Sequence, residues 1–363
     1  LNTILRSKCR IITDGDFESK FIEKNVFHGK KEMQFKLNTL WQKSDSLEEF
    51  FLFGNHKIFK LIKSTLEELL DNGLNDTLYE IEFAKEMFRK FKFDFSVVIN
   101  ESGFSEQIIA GLSRKFHIPC IHLQEGFHWD SLGAKENLSS QGVFIEDAEK
   151  LAVWGEIDKN LAMTVGKIPP KQIDIIGAPR YDELFQNTRD DDDYILLASS
   201  ADPQPEEVEG LRVEKIENYL NDITEISKII SRSNEKLVIK LHPSPTQLTD
   251  IAASLKKIDS KISVSSYGEI STLLPSAKLL ISVGISSAMI EAMILKKPVI
   301  FIPGIDYYWG EPSIVSEEGC YISNISELEN NLKNILGSKE KRITESSKEY
   351  LKKLVSFQGT AST

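Results

Sequence analysis

Cysteine is scarce: there are three in 363 residues, Cys9, Cys120 and Cys320, odd in number and widely spaced. That excludes a disulfide framework, and no pair has the spacing of a zinc site. Strand-associated thiols of this kind read as reduced, partly buried and cytosolic. Long apolar runs are absent too, none approaching the roughly 20 residues of a membrane span. The first residues lack the basic-then-apolar pattern of a secretory signal. A chain opening on Leu1 rather than Met is expected to start within a longer one. Positive charge is in deficit, with 44 Lys and Arg against 55 Asp and Glu, a net −11. Such a chain lacks the basic surface that nucleic acid needs. An anionic ligand must be drawn by local groups, because the global field repels it.

What is present describes a globular chain: 41% hydrophobic, 27% charged, and long enough for two domains. Cys9–Thr13 reads as a first strand, ending in Asp14-Gly15-Asp16. From Met33 to Lys92 the pattern is helical, with a stripe at Ile58, Leu61, Ile62, Leu66, Leu69 and Leu70. The period then shortens to that of strands, with helices between them. Strands are expected over 95–99, 118–123, 151–154 and 173–176. Asn187–Asp193 is a polar, acidic spacer. Its four aspartates precede a strand, which suits a solvated linker better than a metal site.

The second half alternates regularly. Strands are expected over 194–199, 237–241, 262–265, 279–283, 298–302 and 320–322. Helices are expected over 208–231, 246–257, 269–277, 326–336 and, after the sheet is complete, 339–355. The expected fold is α/β, two doubly wound domains of Rossmann type. The expected division is residues 1–185, 186–338 and a returning C-terminal helix, 339–363.

Chemistry in α/β folds gathers at the carboxyl ends of strands. Glu101 and Glu125 each follow a strand and stand near a glycine, so either can serve as a strand-anchored general base. Asp14 has the same placement. Among the histidines, His122 alternates with core residues and reads as buried, while His128 lies in a loop and is freer to touch ligand. The strand 237–241 brings Lys240 to its end and runs into His242-Pro243. An outward imidazole there can donate to a phosphate and assist its departure. Leu279–Val283 ends in Gly284-Ile285-Ser286-Ser287, where a new helix offers free amides to an anion. Glu291 lies about one turn into that helix, within reach of sugar hydroxyls beyond a bound phosphate.

Taken together, Lys-Leu-His-Pro (240–243), Tyr267-Gly-Glu269, Gly-Ile-Ser-Ser (284–287), Glu291-Ala292 and Lys-Pro-Val-Ile (297–300) resemble GT-B glycosyltransferases. The groups carrying a His-Pro and a Ser-Ser motif are the most similar: bacterial sialyltransferases, capsular Kdo transferases and CDP-glycerol glycerophosphotransferases. Gly-Ala-Pro-Arg-Tyr-Asp (177–182) is similar to the segment joining the domains in the last group and in UDP-N-acetylglucosamine 2-epimerases. The resemblance covers Leu151 to Leu336 well and the first 90 residues poorly.

The resemblance implies two domains facing a cleft, with the nucleotide on the C-terminal one. His242, Ser286 and Ser287 would contact its phosphate and Glu291 its ribose, with Ser265–Glu269 near the base. Lys240, Pro243, Tyr267, Glu269, Gly284 and Arg180 complete the expected binding set. The acceptor would bind the N-terminal domain, where Gln124-Glu125-Gly126 matches an acidic base motif in part and Asp14-Gly15 is its rival. Neither metal nor cofactor is implied. The expected activity is an inverting glycosyl or glycerophospho transfer from a CMP- or CDP-linked donor, in surface polysaccharide or glycan biosynthesis. The acceptor would be a glycan or a lipid-linked group, and the enzyme cytoplasmic or peripheral to the inner face of the membrane. UDP-sugar transfer, 2-epimerisation and a non-catalytic nucleotide-sugar-binding role are the alternatives. A GT-A enzyme with Asp14-Gly15-Asp16 as metal clasp fits the two α/β halves worst.

Overall fold

The computed structural model describes residues 19–42, 48–101, 103–135, 143–145, 147–187, 193–199, 209–241, 251–265, 268–303, 310–316, 320–337 and 345–362. The expected strand over Cys9–Thr13 lies outside them. By compactness the chain forms two units. One comprises residues 1–121 with 146–149, the other 122–145 with 150–363.

In the first unit, helix α1 (Ser19–Gln42) packs on helix α2 (Phe59–Lys90). Between them β1 (Leu52–Phe53) pairs antiparallel with β2 (His56–Lys57). This hairpin corrects the unbroken helical reading of 33–92. Four consecutive apolar residues, Phe50–Phe53, have no helical period, and Gly54 at φ +59° then supplies a two-residue turn. Strand β3 (Ser96–Val98) and helix α3 (Phe104–Phe116) follow. Ala84, Phe88 and Leu112 form the small core that joins α3 to α2. His117, at φ +56°, ends α3 in the left-handed region, and the chain leaves the unit within β4 (Cys120–Leu123).

The second unit takes the end of β4 and then pairs β5 (Lys150–Val153) in parallel with β6 (Ile173–Ile175), with helix α4 (Glu156–Thr164) between them. A single 3-10 turn, Pro179–Tyr181, leads into the short helix Asp182–Phe185. The main sheet then runs through β7 (Tyr194–Ser199), α5 (Glu209–Arg232), β8 (Leu237–Lys240), α6 (Ile251–Ile258), β9 (Ser263–Ser265), β10 (Ala277–Val283), helix α7 (Ala288–Ile294), β11 (Val299–Ile302) and β12 (Tyr321–Ile322). Helices α8 (Ile325–Gly337) and α9 (Glu345–Leu354) complete it. The helix expected over 269–277 is instead two 3-10 turns, Ile270–Thr272 and Leu274–Ser276. Pro275 has no N–H to continue a helical ladder.

Strand order is β12-β11-β10-β7-β8-β9, and every pairing is parallel. Alternate residues of β7 enter different cores: Ile195 and Leu197 join one, Tyr194, Leu196 and Ala198 the other. A sheet covered on both faces has to be apolar at every position, which is why β7 and β11 read as continuous hydrophobic runs.

The core that takes Tyr194, Leu196 and Ala198 also gathers Trp154, Tyr181, all of α7 except Glu291, and Tyr350, Leu351, Leu354 and Val355. Helix α9 packs on α7 and α4. Its approach is close enough that a Cβ on Gly155 would sit 2.3 Å from the Lys353 carbonyl oxygen. Past the helix, a Cβ on Gly177 would sit 2.4 Å from the Ser356 oxygen. Asp182 then accepts the amides of Ala361 (3.1 Å) and Ser362 (2.7 Å). Cys120 and Cys320 are buried free thiols, and burial pushes the Cys320 thiol up to about 12. Among the described residues no helix is long and apolar enough to cross a membrane.

Candidate functional site

The main sheet grows from β7 first through β8 and β9, then on the other side through β10, β11 and β12. Its direction of growth therefore reverses between β7 and β10. Ligands of open α/β sheets bind outside the carboxyl ends of strands at such a switch point. Here those ends are Ser199 and Val283, which are paired in register.

Directly after β10 the chain turns at Gly284, which has φ +78° and donates its N–H to Ile302 at 3.0 Å. The Ser282 hydroxyl donates to the Gly284 carbonyl at 2.8 Å and stiffens the turn. Ser286 Oγ accepts the Ala288 amide at 3.3 Å, so Ser286 takes the capping role. Ser287 is exposed and makes no side-chain capping bond. Helix α7 has only seven residues, so its dipole is short and the local amides matter more than its length.

Glu291 is 8% exposed, and its Oε2 is buried with no hydrogen-bond partner among the described residues. Burial pushes this carboxyl up to about 7; Arg180 opposes the shift and the negative Glu269 adds to it. The buried Tyr181 hydroxyl also has no partner among the described residues. Burial drives the phenol well above its usual range, Arg180 works against that, and Glu291 adds to it. Glu291, Tyr181, Arg180 and Glu269 thus form one electrostatic neighbourhood containing two unfilled polar atoms. Buried groups without partners are costly, and unfilled ones mark places where a ligand's polar groups fit.

Arg180 is exposed, and its guanidinium lies 5.5 Å over the Tyr181 ring. Its Nη1 donates to the Glu125 carbonyl oxygen at 3.1 Å. Two residues far apart in sequence, Glu125 and Glu291, therefore share one cation as neighbour. The loop bearing Glu125 is held by Gln124, whose polar atoms are all engaged. Its amide donates to Ala152, its Oε1 accepts the Trp154 amide at 2.7 Å and its Nε2 donates to the Gly126 carbonyl at 2.8 Å. The Trp154 indole N–H donates to the Gln124 carbonyl at 3.2 Å, and its ring meets Tyr181 edge-on. The Glu125 side chain itself is exposed.

Other expected residues fall differently. Glu101 lies in the first unit, 4% exposed, with Oε2 accepting the Asp147 amide at 2.9 Å, so it braces a loop. Lys240 is buried at the end of β8, donates to the Leu241 carbonyl at 3.0 Å, and has its pKa lowered by burial. His128 is not the free loop residue that was expected. Its Nδ1 lies 2.9 Å from an oxygen of the buried Asp158. Glu269 is exposed and accepts a hydrogen bond from the Ser271 hydroxyl. Asp14, His242, Pro243 and Tyr267 lie outside the described residues. Among the described residues no group of His, Cys, Asp and Glu side chains could hold a metal ion. Sequence reasoning missed Tyr181, Gln124, Asp158 and Asp182. For Tyr181 and Asp182 the signal was their place beside Arg180, and for Gln124 its place beside Glu125; for Asp158 there was none.

No family model matches this sequence, and no curated protein does. Solved structures of similar fold include a UDP-N-acetylglucosamine 2-epimerase from Neisseria meningitidis bound to UDP-GlcNAc. It is 15% identical, covers 79% of this chain and 77% of its own, and has a TM-score of 0.51. Another is S. aureus MnaA, solved with UDP (13% identity, 79% and 76% coverage, TM-score 0.50). A further UDP-N-acetylglucosamine 2-epimerase gives 14% identity, 79% and 74% coverage and a TM-score of 0.53. At these identities the likeness shows the fold: mixed α/β with parallel sheets, of the GT-B type.

Proposed function

We propose that this chain is a metal-independent inverting transferase of surface polysaccharide or glycan biosynthesis, moving a sugar or glycerophosphate from a CMP- or CDP-linked donor. The observation that carries the reading is the buried Glu291 carboxyl with an unfilled oxygen, standing at the switch point of a parallel sheet. In this reading Glu291 accepts the ribose hydroxyls, and the amides and hydroxyls of Gly284, Ser286 and Ser287 take the phosphate. Arg180 balances the remaining negative charge. Lys240, Pro243, Tyr267 and Glu269 line the donor's surroundings. The donor half is residues 186–338, the acceptor half 1–185, and 339–363 ties back to both.

The proposed chemistry needs two proton-competent groups and no metal ion. A carboxylate, Glu125 ahead of Glu101 and Asp14, takes the proton of an acceptor hydroxyl as its oxygen attacks the anomeric carbon. The bond from that carbon to the phosphate oxygen breaks on the opposite face. The nucleotide departs toward His242 and the serine amides, which stabilise its charge. In the glycerophosphate case the same oxygen attacks phosphorus. The acceptor is a glycan or a lipid-linked group, and the enzyme works in the cytoplasm or at the inner membrane face.

Calorimetry with CMP, CDP, UDP and GDP, with and without magnesium, tests the donor assignment. Cytidine nucleotides are expected to bind equally in EDTA and magnesium. Glu291→Ala should weaken them about 10- to 100-fold, the range for a lost hydrogen bond to a charged group. Tight UDP binding without CMP or CDP binding would overturn it. Loss of turnover in Glu125→Gln with donor binding intact identifies the base; unchanged turnover removes Glu125 from that role.

UDP-N-acetylglucosamine 2-epimerisation or UDP-sugar transfer is the second reading, favoured by the UDP ligands of the structures of similar fold. Against epimerisation, Gly-Ile-Ser-Ser with a single Glu291 stands where those enzymes generally carry Asp-Ser-Gly-Gly and a Glu-Glu pair. Appearance of the C2 epimer by NMR, from UDP-GlcNAc alone, would decide for it. Nucleotide binding with no turnover of any donor would leave a non-catalytic partner.

A further inference from the structure

Arg180 is the cation beside both Glu125 and Glu291, yet the turn that carries it is slight. It stands on the single 3-10 turn Pro179–Tyr181, which runs into the four-residue helix Asp182–Phe185. Elements this short close too few internal hydrogen bonds to fix their own place. The ties come from the segment that follows α9. The buried carboxylate of Asp182 accepts the amides of Ala361 and Ser362, one on each oxygen, and a charged acceptor makes such bonds strong. Gln186 Nε2 donates to the Gly359 carbonyl at 3.0 Å. Gly177, on the other side of the turn, lies against the Ser356 carbonyl and the Ala361 Cβ. The chain is thus gripped both before and after Arg180.

The same segment also holds what the guanidinium rests on. Ser356 donates its amide to the Trp154 carbonyl at 2.9 Å. Trp154 in turn donates its amide and its indole N–H to Gln124, the residue before Glu125, and its ring meets Tyr181 edge-on. The turn that carries Arg180 and the Glu125 carbonyl that its Nη1 reaches are therefore fastened to one segment. A long side chain gives up rotamer freedom when it grips a ligand, and a fixed base leaves less to give up. We infer that residues 356–362 position Arg180, with Asp182 as the positioning residue, and so set how strongly the guanidinium meets the donor's phosphate charge. This rests on the reading of Arg180 as the balance of that charge.

Calorimetry with CDP on Arg180→Ala, Asp182→Asn and the double variant makes a cycle that tests the route. Arg180→Ala should weaken CDP about 10- to 100-fold, and Asp182→Asn at least about threefold. On top of Arg180→Ala, Asp182→Asn should add no further loss, because its effect runs through Arg180. A second readout needs no nucleotide: titration of the Glu291 carboxyl followed by carbon-13 NMR. Burial pushes that carboxyl up, Arg180 opposes the push and Glu269 adds to it. Asp182→Asn should therefore move the Glu291 titration upward, as Arg180→Ala does. Removing a negative charge would by itself move it downward, so a rise reports a displaced guanidinium. Gly359→Ala changes no charge. At φ +79°, with the Phe185 Cβ 3.3 Å from the added methyl, it should loosen the segment and repeat both effects. It also carries the test if circular dichroism shows that Asp182→Asn does not fold. The inference fails if Asp182→Asn loses CDP affinity equally in both backgrounds, or if Glu291 titrates unchanged in both variants. If CDP does not bind the parent chain, the donor reading falls, and the Glu291 titration alone decides whether the segment positions Arg180.

Discussion

Glu291 is held against its own ionisation, and that has measurable consequences. Its carboxyl titrates near 7 in the fold against about 4.5 in an open chain, because burial penalises the charge. The folded state therefore holds this proton more tightly than the unfolded state. The group's contribution to stability is complete below about pH 4.5 and is lost as pH rises toward 7. Above that, keeping the ionised carboxylate in place costs up to about 3 kcal/mol. Glu291→Gln should leave the melting temperature near pH 4 almost unchanged and raise it at pH 8. A melting temperature no higher than the parent's at pH 8 would remove the burial argument. If Glu291 accepts ribose hydroxyls, the bound state favours the ionised form, so nucleoside affinity should climb between pH 6 and 8. Calorimetry with cytidine, which lacks a phosphate that titrates in this range, should show that slope, and it should be flat in Glu291→Gln.

Two glycines decide whether the closing helix fits. Gly155 and Gly177 have no room for a methyl group, because the Lys353, Leu354 and Ser356 carbonyls lie against them. Gly177 also has φ +74°, which a side chain strains. Gly155→Ala should cost about 1–3 kcal/mol and Gly177→Ala about 2–4 kcal/mol in urea unfolding. Costs near zero would mean that α9 does not hold this position. The sequence marked most elements because their signals are local. The apolar runs of β7, β8, β10 and β11 and the periodic helices could be read directly, as could Gly284, Ser286 and Glu291 at a strand's end. The Phe50–Lys57 hairpin was hidden inside a lysine-rich stretch that reads as helix on average. The tie of Asp182 to residues 361 and 362 was not legible, because nothing near Asp182 hints at a partner 179 residues away. The same holds for Asp158, whose partner His128 lies across a loop and a strand.

At the scale of the molecule, compactness assigns the candidate site to one unit. Glu125, Arg180, Tyr181, Glu269 and Glu291 all belong to residues 122–145 and 150–363. Two compact units in one chain commonly unfold in separate steps. Calorimetric scans should then resolve two transitions, with nucleotide raising only one. Saturation at a hundredfold over Kd is worth about 2.7 kcal/mol to the unit that binds. Equal shifts in both transitions, or a single transition throughout, would show that the units unfold together. The same geography sets an order of events at the ribosome. Every strand of the main sheet, Arg180 and Glu291 emerge before residues 345–362 do. Until that last segment arrives, Gly155, Gly177 and Asp182 wait without the backbone that closes over them, and contacts so distant in sequence form late. The nascent chain therefore has its sheet before it has the segment that packs against Gly155, Gly177 and Asp182.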